Sequence, residues 1–236
     1  MAALLRDLAG LWPIIRLGQF GRTVPQWQAA ATATVNRYAM AATVLASDYY
    51  ETERRYAEIP GLFVPDLVEV PEEKAAASFR WATSDLWIPE QRDPPPIEQR
   101  LATAKTKADG AAEKLVADAA RETIVGAVEA DLEARGWVRQ AALGACSFCK
   151  LMAIRGPVYS DADAAGGDAN SRFQGDGDFK FHDHCNCHAA VIFRGQTWAM
   201  PPHVREWKRV YDESTKDVTE GGAALRNAFR RALADA

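Results

Sequence analysis

All four cysteines of the chain fall in two tight pairs, Cys146-Ser-Phe-Cys149 and Cys185-Asn-Cys187. The second pair sits inside His182-Asp183-His184-Cys185-Asn186-Cys187-His188, a run holding three of the four histidines. Thiolates and imidazoles are the donors that a tetrahedral zinc site draws together from short loops. A Cys-x-x-Cys turn can offer two thiolates to one ion, and a hairpin carrying Cys-x-Cys or His-x-x-Cys can offer the rest. The expected ligands are Cys146, Cys149, Cys185 and Cys187, with His182 as the substitute. On a strand Cys185 and Cys187 share a face, whereas His182 joins them only through a turn. The 35 residues between Cys149 and Cys185 exceed the spacing of common zinc fingers. Two other fates fit the same residues: disulfides formed once the protein leaves a reducing compartment, or reduced cysteines that only pack.

Catalytic patterns are weaker. A zinc deaminase places His-x-Glu ahead of Pro-Cys-x-x-Cys, but here the Cys-x-x-Cys comes first and no His-x-Glu exists. His182-Asp183-His184 is similar to the core of an HNH nuclease, without that core's downstream asparagine and histidine. Ser147, Ser160 and Ser171 lie in no nucleophile-elbow context. His184 and His188 fit exposed positions as well as any role in a site.

These residues need elements to hold them. With 236 residues the chain can form one large or two small domains. A formal charge of −4 argues against a free-standing nucleic-acid binder, although local basic patches are compatible with it. Arg6 and Asp7 interrupt the apolar N-terminus, so no signal-peptide core is expected, and no apolar run reaches the roughly 18 residues of a membrane span. The chain therefore reads as a soluble protein made in the cytosol, its thiols reduced at first.

Val24-Pro25 opens a long helical pattern to about Ala57, with Trp27, Ala31, Val35, Tyr38, Ala42, Leu45 and Tyr49 on one face. An extended stretch from Leu62 to Val70 follows, then a helix from about Pro71 to Trp87. After the stiff Asp93-Pro-Pro-Pro96 a second long helical region runs from about Ile97 to Ala134. Its stripe is Ile97, Leu101, Ala104, Ala108, Ala112, Leu115 and Ala119, then Ile124, Val128 and Leu132. The phase shift after Ala119 predicts a break or two helices in series. The simplest partner for each long stripe is the other, giving a helical bundle.

Past Gly136 the pattern changes. Residues 137–141 read as a strand, Leu151 to Ile154 as the end of a helical turn, 161–178 as a glycine-rich loop, and 189–193 as a buried strand. Two short helices, about 203–212 and 223–234, close the chain around Gly221-Gly222. The expected fold is α+β and mainly helical: an N-terminal helical region at 1–135, a zinc-stapled Cys/His module at 136–195, and a helical tail at 196–236. Leu225, Phe229 and Leu233 recur every four residues, a spacing that suits a groove on a partner or a place on the chain's own domain.

Ala145-Cys-Ser-Phe-Cys-Lys-Leu-Met-Ala-Ile-Arg-Gly-Pro-Val-Tyr159, followed by Phe181-His-Asp-His-Cys-Asn-Cys-His188 and an apolar strand, resembles the signature block of the Mu F-type minor head proteins of tailed phages. Ala42 to Arg54 and Gly136-Trp-Val-Arg139 extend the resemblance over most of residues 24–195. It implies a low-copy head-morphogenesis protein, made in the host cytoplasm and then carried in the virion near the portal. Its implied partners are the portal protein and the major capsid or scaffold protein, with packaged DNA beside them. In the tail, outside the resemblance, Arg226, Arg230 and Arg231 flank the apolar stripe, where either acidic portal surface or packaged DNA would meet them. Some members carry the label capsid maturation protease, so proteolysis is the competing expectation, with an HNH-like nuclease behind it. The long loop 161–178 departs from the family pattern.

Overall fold

Helices dominate the computed structural model, which describes residues 1–89, 92–157, 185 and 187–234. In chain order they are α1 (Ala2–Leu11), α2 (Phe20–Tyr56), α3 (Glu72–Ala82), α4 (Ile97–Ala130), α5 (Ser147–Ala153), α6 (Pro202–Thr215) and α7 (Ala223–Ala234). Among the described residues the two strands are β1 (Ala134–Ala141) and β2 (Cys187–Phe193). The expected mainly helical α+β class is what the chain adopts. Two compact units divide it: Met1–Asp48 with Asp66–Thr123, and Tyr49–Pro65 with the described residues from Ile124 onward. α2 and α4 each contribute to both.

In the first unit, Leu4, Leu8 and Trp12 project from one side of α1 and its following turn into a core with Val24, Trp27, Ala31 and Val35 of α2. Trp27 lies 4.4 Å from Trp12 and 5.5 Å from Phe79 by ring centroids, the latter edge-on. Ala104, Ala108 and Ala112 of α4 supply the small surface that lets this aromatic cluster and α2 pack together. The long stripes thus share one core, as expected.

Several details differ from the periodic reading. α2 starts at Phe20, because the Gln19 carbonyl accepts N–H bonds from Arg22 and Thr23 and tolerates Pro25 one turn later. Its buried face drifts from Trp27, Ala31 and Val35 onto Ala39, Thr43, Ala46 and Tyr50, which leaves Leu45 68% exposed. α3 stops at Ala82 and gives way to a 3₁₀ turn, Ser84–Trp87. Thr83 donates to the Phe79 carbonyl and accepts the Gln28 amide, while Arg100 donates to the Asp85 and Leu86 carbonyls and fixes the turn. α4 is one helix without a break; its phase shift marks the passage from one unit to the other between Thr123 and Ile124. The helix ends at Ala130, so Leu132 falls in a turn and is 83% exposed.

A buried polar knot organises the second unit. Arg54 near the end of α2 donates Nε–H to Asp131 at 2.8 Å and Nη1–H to the Gly61 carbonyl at 2.8 Å. Tyr50 donates to Asp131 at 3.1 Å, and Asp131 also accepts the Glu133 N–H. The Tyr50 ring meets Phe63 and Phe193 at 5.5 and 5.6 Å. One carboxylate therefore fixes the end of α2, the Gly61 turn and the entry into β1.

β1 and β2 pair antiparallel, with Trp137 opposite Val191, Arg139 opposite Ala189 and Ala141 opposite Cys187. Strand alternation puts these six residues on one face and Val138, Ala190 and Ile192 on the other. Both faces are covered: Trp198 packs on the second, and α5, α6 and α7 supply side chains to the first.

A candidate metal centre

The register brings the cysteines together. Cys187 opens β2 opposite Ala141, the last residue of β1. A short turn from Ala141 leads to Cys146, which caps the N-terminus of α5 in an extended conformation while its Sγ accepts the Cys149 N–H at 3.4 Å. One turn into α5, Cys149 points at Cys185, with their sulphurs 3.4 Å apart. The sulphurs of Cys149, Cys185 and Cys187 all lie within 4.8 Å of one another. At a Zn–S distance of about 2.3 Å, tetrahedral sulphurs stand about 3.8 Å apart, so this spacing is that of ligands to one ion. Three cysteines in this arrangement could hold a metal ion.

The surroundings are apolar. Cys149 and Cys187 are 1% and 3% exposed, within a cluster of Ala141, Ala145, Ala153, Val204, Trp207 and Phe229. Cys185 is half-buried at its edge. The four cysteines form no disulfide, and crowding governs the protonation of Cys149 and Cys187. Hydrogen bonds with Cys185 and Cys187, then burial, push the Cys149 thiol well above its ordinary value. For Cys187, the bond with Cys149 favours the thiolate, but Cys185 and burial outweigh it and the thiol is pushed up to about 12. A divalent cation would reverse this balance, because coordination stabilises thiolates directly.

Of the expected ligands, the structure unites Cys149, Cys185 and Cys187. Cys146 is exposed and stands beside them as the helix cap, outside that trio. His182, like His184 and the loop 161–178, lies outside the described residues. His188 projects to the opposite strand face and bonds the Gln140 side chain at 2.9 Å.

Two contributors escaped the sequence reading. Arg139 is 2% exposed on the cysteine face of β1, and its charge favours the Cys187 thiolate. Arginine in a strand carries no signal of burial. The other is the wall formed by α6 and α7. Trp207 lies under the Lys150 ammonium at 5.2 Å, and Phe229 meets Tyr211 edge-on at 5.4 Å. The four-residue spacing of Leu225, Phe229 and Leu233 marked an apolar face and left open whether a partner or the chain's own domain covers it. The structure places Phe229 in the cysteine cluster, with Leu233 packed against it.

No helix among the described residues is long and apolar enough to cross a membrane. A family model described as VG15 protein matches residues 1–214. No curated protein and no solved structure matches the chain.

Proposed function

The chain belongs to the VG15 protein family, which points to a phage protein, and from that premise we propose that it is a minor head protein of the Mu F type. In this reading it joins the head in few copies beside the portal and acts in head morphogenesis or DNA delivery. The observation that carries it is the convergence of Cys149, from the first cysteine pair, with both cysteines of the second. The described parts of the segments with the Mu F-type pattern, residues 145–157, Cys185 and residues 187–193, contribute to one module in which three sulphurs meet. The family match spans the helices before that module as well as the module itself.

The metal in this proposal is zinc. Cys149, Cys185 and Cys187 supply three thiolates, and Cys146 or His182 the fourth donor. When bound, zinc supplies a cross-link between α5 and β2. A two-stranded sheet with short helices has little core of its own, so such a staple stabilises a fold that would otherwise be marginal. We assign residues 1–135 to a helical region, 136–195 to the stapled module and 196–236 to a tail that completes the module's wall. The partners are the portal protein and the major capsid or scaffold protein, met in the host cytoplasm during assembly and then in the virion.

Sedimentation of assembling heads tests this. The protein should co-sediment with procapsids and virions at a constant low copy number and be lost when the portal is omitted. Absence from heads would overturn the reading. Cleavage of the major capsid protein on co-expression, abolished by a single serine substitution, would replace it with a maturation protease.

A further inference from the structure

The tail carries a second surface. Phe229 and Leu233 of α7 pack into the module and Ala228 is buried, while Arg226, Asn227, Arg230 and Arg231 are exposed. α7 has no acidic residue. The neighbouring α6 pairs Lys208 with Asp212 and Arg209 with Glu206 and Glu213, and its Arg205 donates to the Met200 carbonyl. Among the described residues the three α7 guanidiniums meet no carboxylate.

The charge of the whole chain conceals this. Residues 1–133 hold 14 basic and 20 acidic side chains, whereas 134–234 hold 14 basic and 11 acidic. The negative balance belongs to the first part of the chain, and the positive balance to the part that ends in α7. α7 lies beyond the residues matched by the family.

The chemistry of the face selects its partner. The apolar stripe of α7 is already used against its own module, so the outward face lacks the apolar anchors from which a protein interface core is built. What it offers is guanidinium, the group best suited to bidentate phosphate contacts. Arg226 and Arg230 are one helical turn apart, about 6 Å along the axis. Duplex DNA carries one charge per about 1.7 Å, so this row faces several phosphates at once.

We propose that the outward face of α7, through Arg226, Arg230 and Arg231, binds the phosphate backbone of double-stranded DNA without reading its sequence. The proposal rests on the head-protein reading only for which DNA the surface meets. The test uses the purified full-length chain and a fluorescent mixed-sequence duplex, titrated between about 50 and 200 mM salt. Wild type should bind with affinity that falls steeply with salt. The triple variant Arg226→Gln, Arg230→Gln, Arg231→Gln should bind more weakly and flatten the log–log salt slope by about 2.7, or about 0.9 per lost phosphate contact. Its melting temperature and metal content should match wild type, since the three side chains are exposed. Failure of wild type to bind the duplex, or an unchanged slope in the variant, overturns the proposal. A protein that enters heads but ignores DNA refutes this surface and spares the head-protein reading; one that binds DNA yet never enters heads refutes that reading and spares the surface.

Discussion

Replacing Phe229 with alanine should unseat α7 and loosen the cysteine cluster with it. The ring is 1% exposed and shares one apolar cluster with Cys149, Cys187, Val204 and Trp207. Truncating a buried phenylalanine costs about 3–5 kcal/mol, from lost transfer energy and the cavity left behind. The edge-on contact with Tyr211, worth about 0.5–1.5 kcal/mol, is lost in the same step. In a chain of this length each kcal/mol lowers the melting temperature by about 2–4 °C, so a fall on the order of 10 °C is expected. Differential scanning calorimetry measures it, with Arg230→Ala as the control that should stay within about 1 °C of wild type. Deleting residues 221–236 should do at least as much damage, because it exposes the cysteine cluster. A Phe229→Ala protein that melts with wild type would refute the reasoning, since α7 would then not be part of the module.

Two further changes probe the frame around the site. Burial alone would raise the Asp131 carboxyl, but its bonds from Arg54, the Glu133 N–H and Tyr50 hold it below the usual carboxylate range. Its stabilisation is therefore complete above the unfolded value of about 3.9 and is lost as pH falls through the lower folded value. Asp131→Asn should cost about 3–5 kcal/mol at neutral pH by leaving Arg54 buried without its anion, and should flatten the acid limb of the melting-temperature profile. An unchanged acid limb would mean that other carboxylates control acid unfolding. Gly156 has φ +69°, and a Cβ there would stand 3.1 Å from the Trp198 ring. Gly156→Ala should destabilise by about 1–2 kcal/mol or more through the left-handed backbone and that contact, so a variant as stable as wild type on urea unfolding would contradict the geometry.

How far the sequence carried depended on the kind of signal. α2, β1, β2 and the two tail helices were legible because their apolar periods are clean and proline or glycine marks their edges. Convergence of Cys149 with Cys185 and Cys187 was legible from residue chemistry, since that many soft donors at short spacing have few uses. Leu45 was misplaced because a fixed three-and-four count ignores the drift of a 3.6-residue helix over ten turns. Leu132 was misplaced because Asp131 ends α4 through bonds to Tyr50 and Arg54, about 80 residues away in sequence. α1 went unseen: Leu4 and Leu8 form too short a pattern to declare a helix without Trp27 to pack against. The burial of Arg139 and the destination of Phe229 are tertiary facts, and amphipathicity reports that a face is covered without naming its cover.

In the proposed reading Cys149, Cys185 and Cys187 hold one metal ion. Metal analysis of the purified full-length chain by mass spectrometry, combined with thiol titration, tests it most directly. About one equivalent of zinc per chain is expected. That zinc should be lost in Cys149→Ser and Cys187→Ser and should bind more weakly as pH falls, because protons compete for raised thiols. Metal-free protein without titratable thiols, or full zinc occupancy in both serine variants, would contradict it.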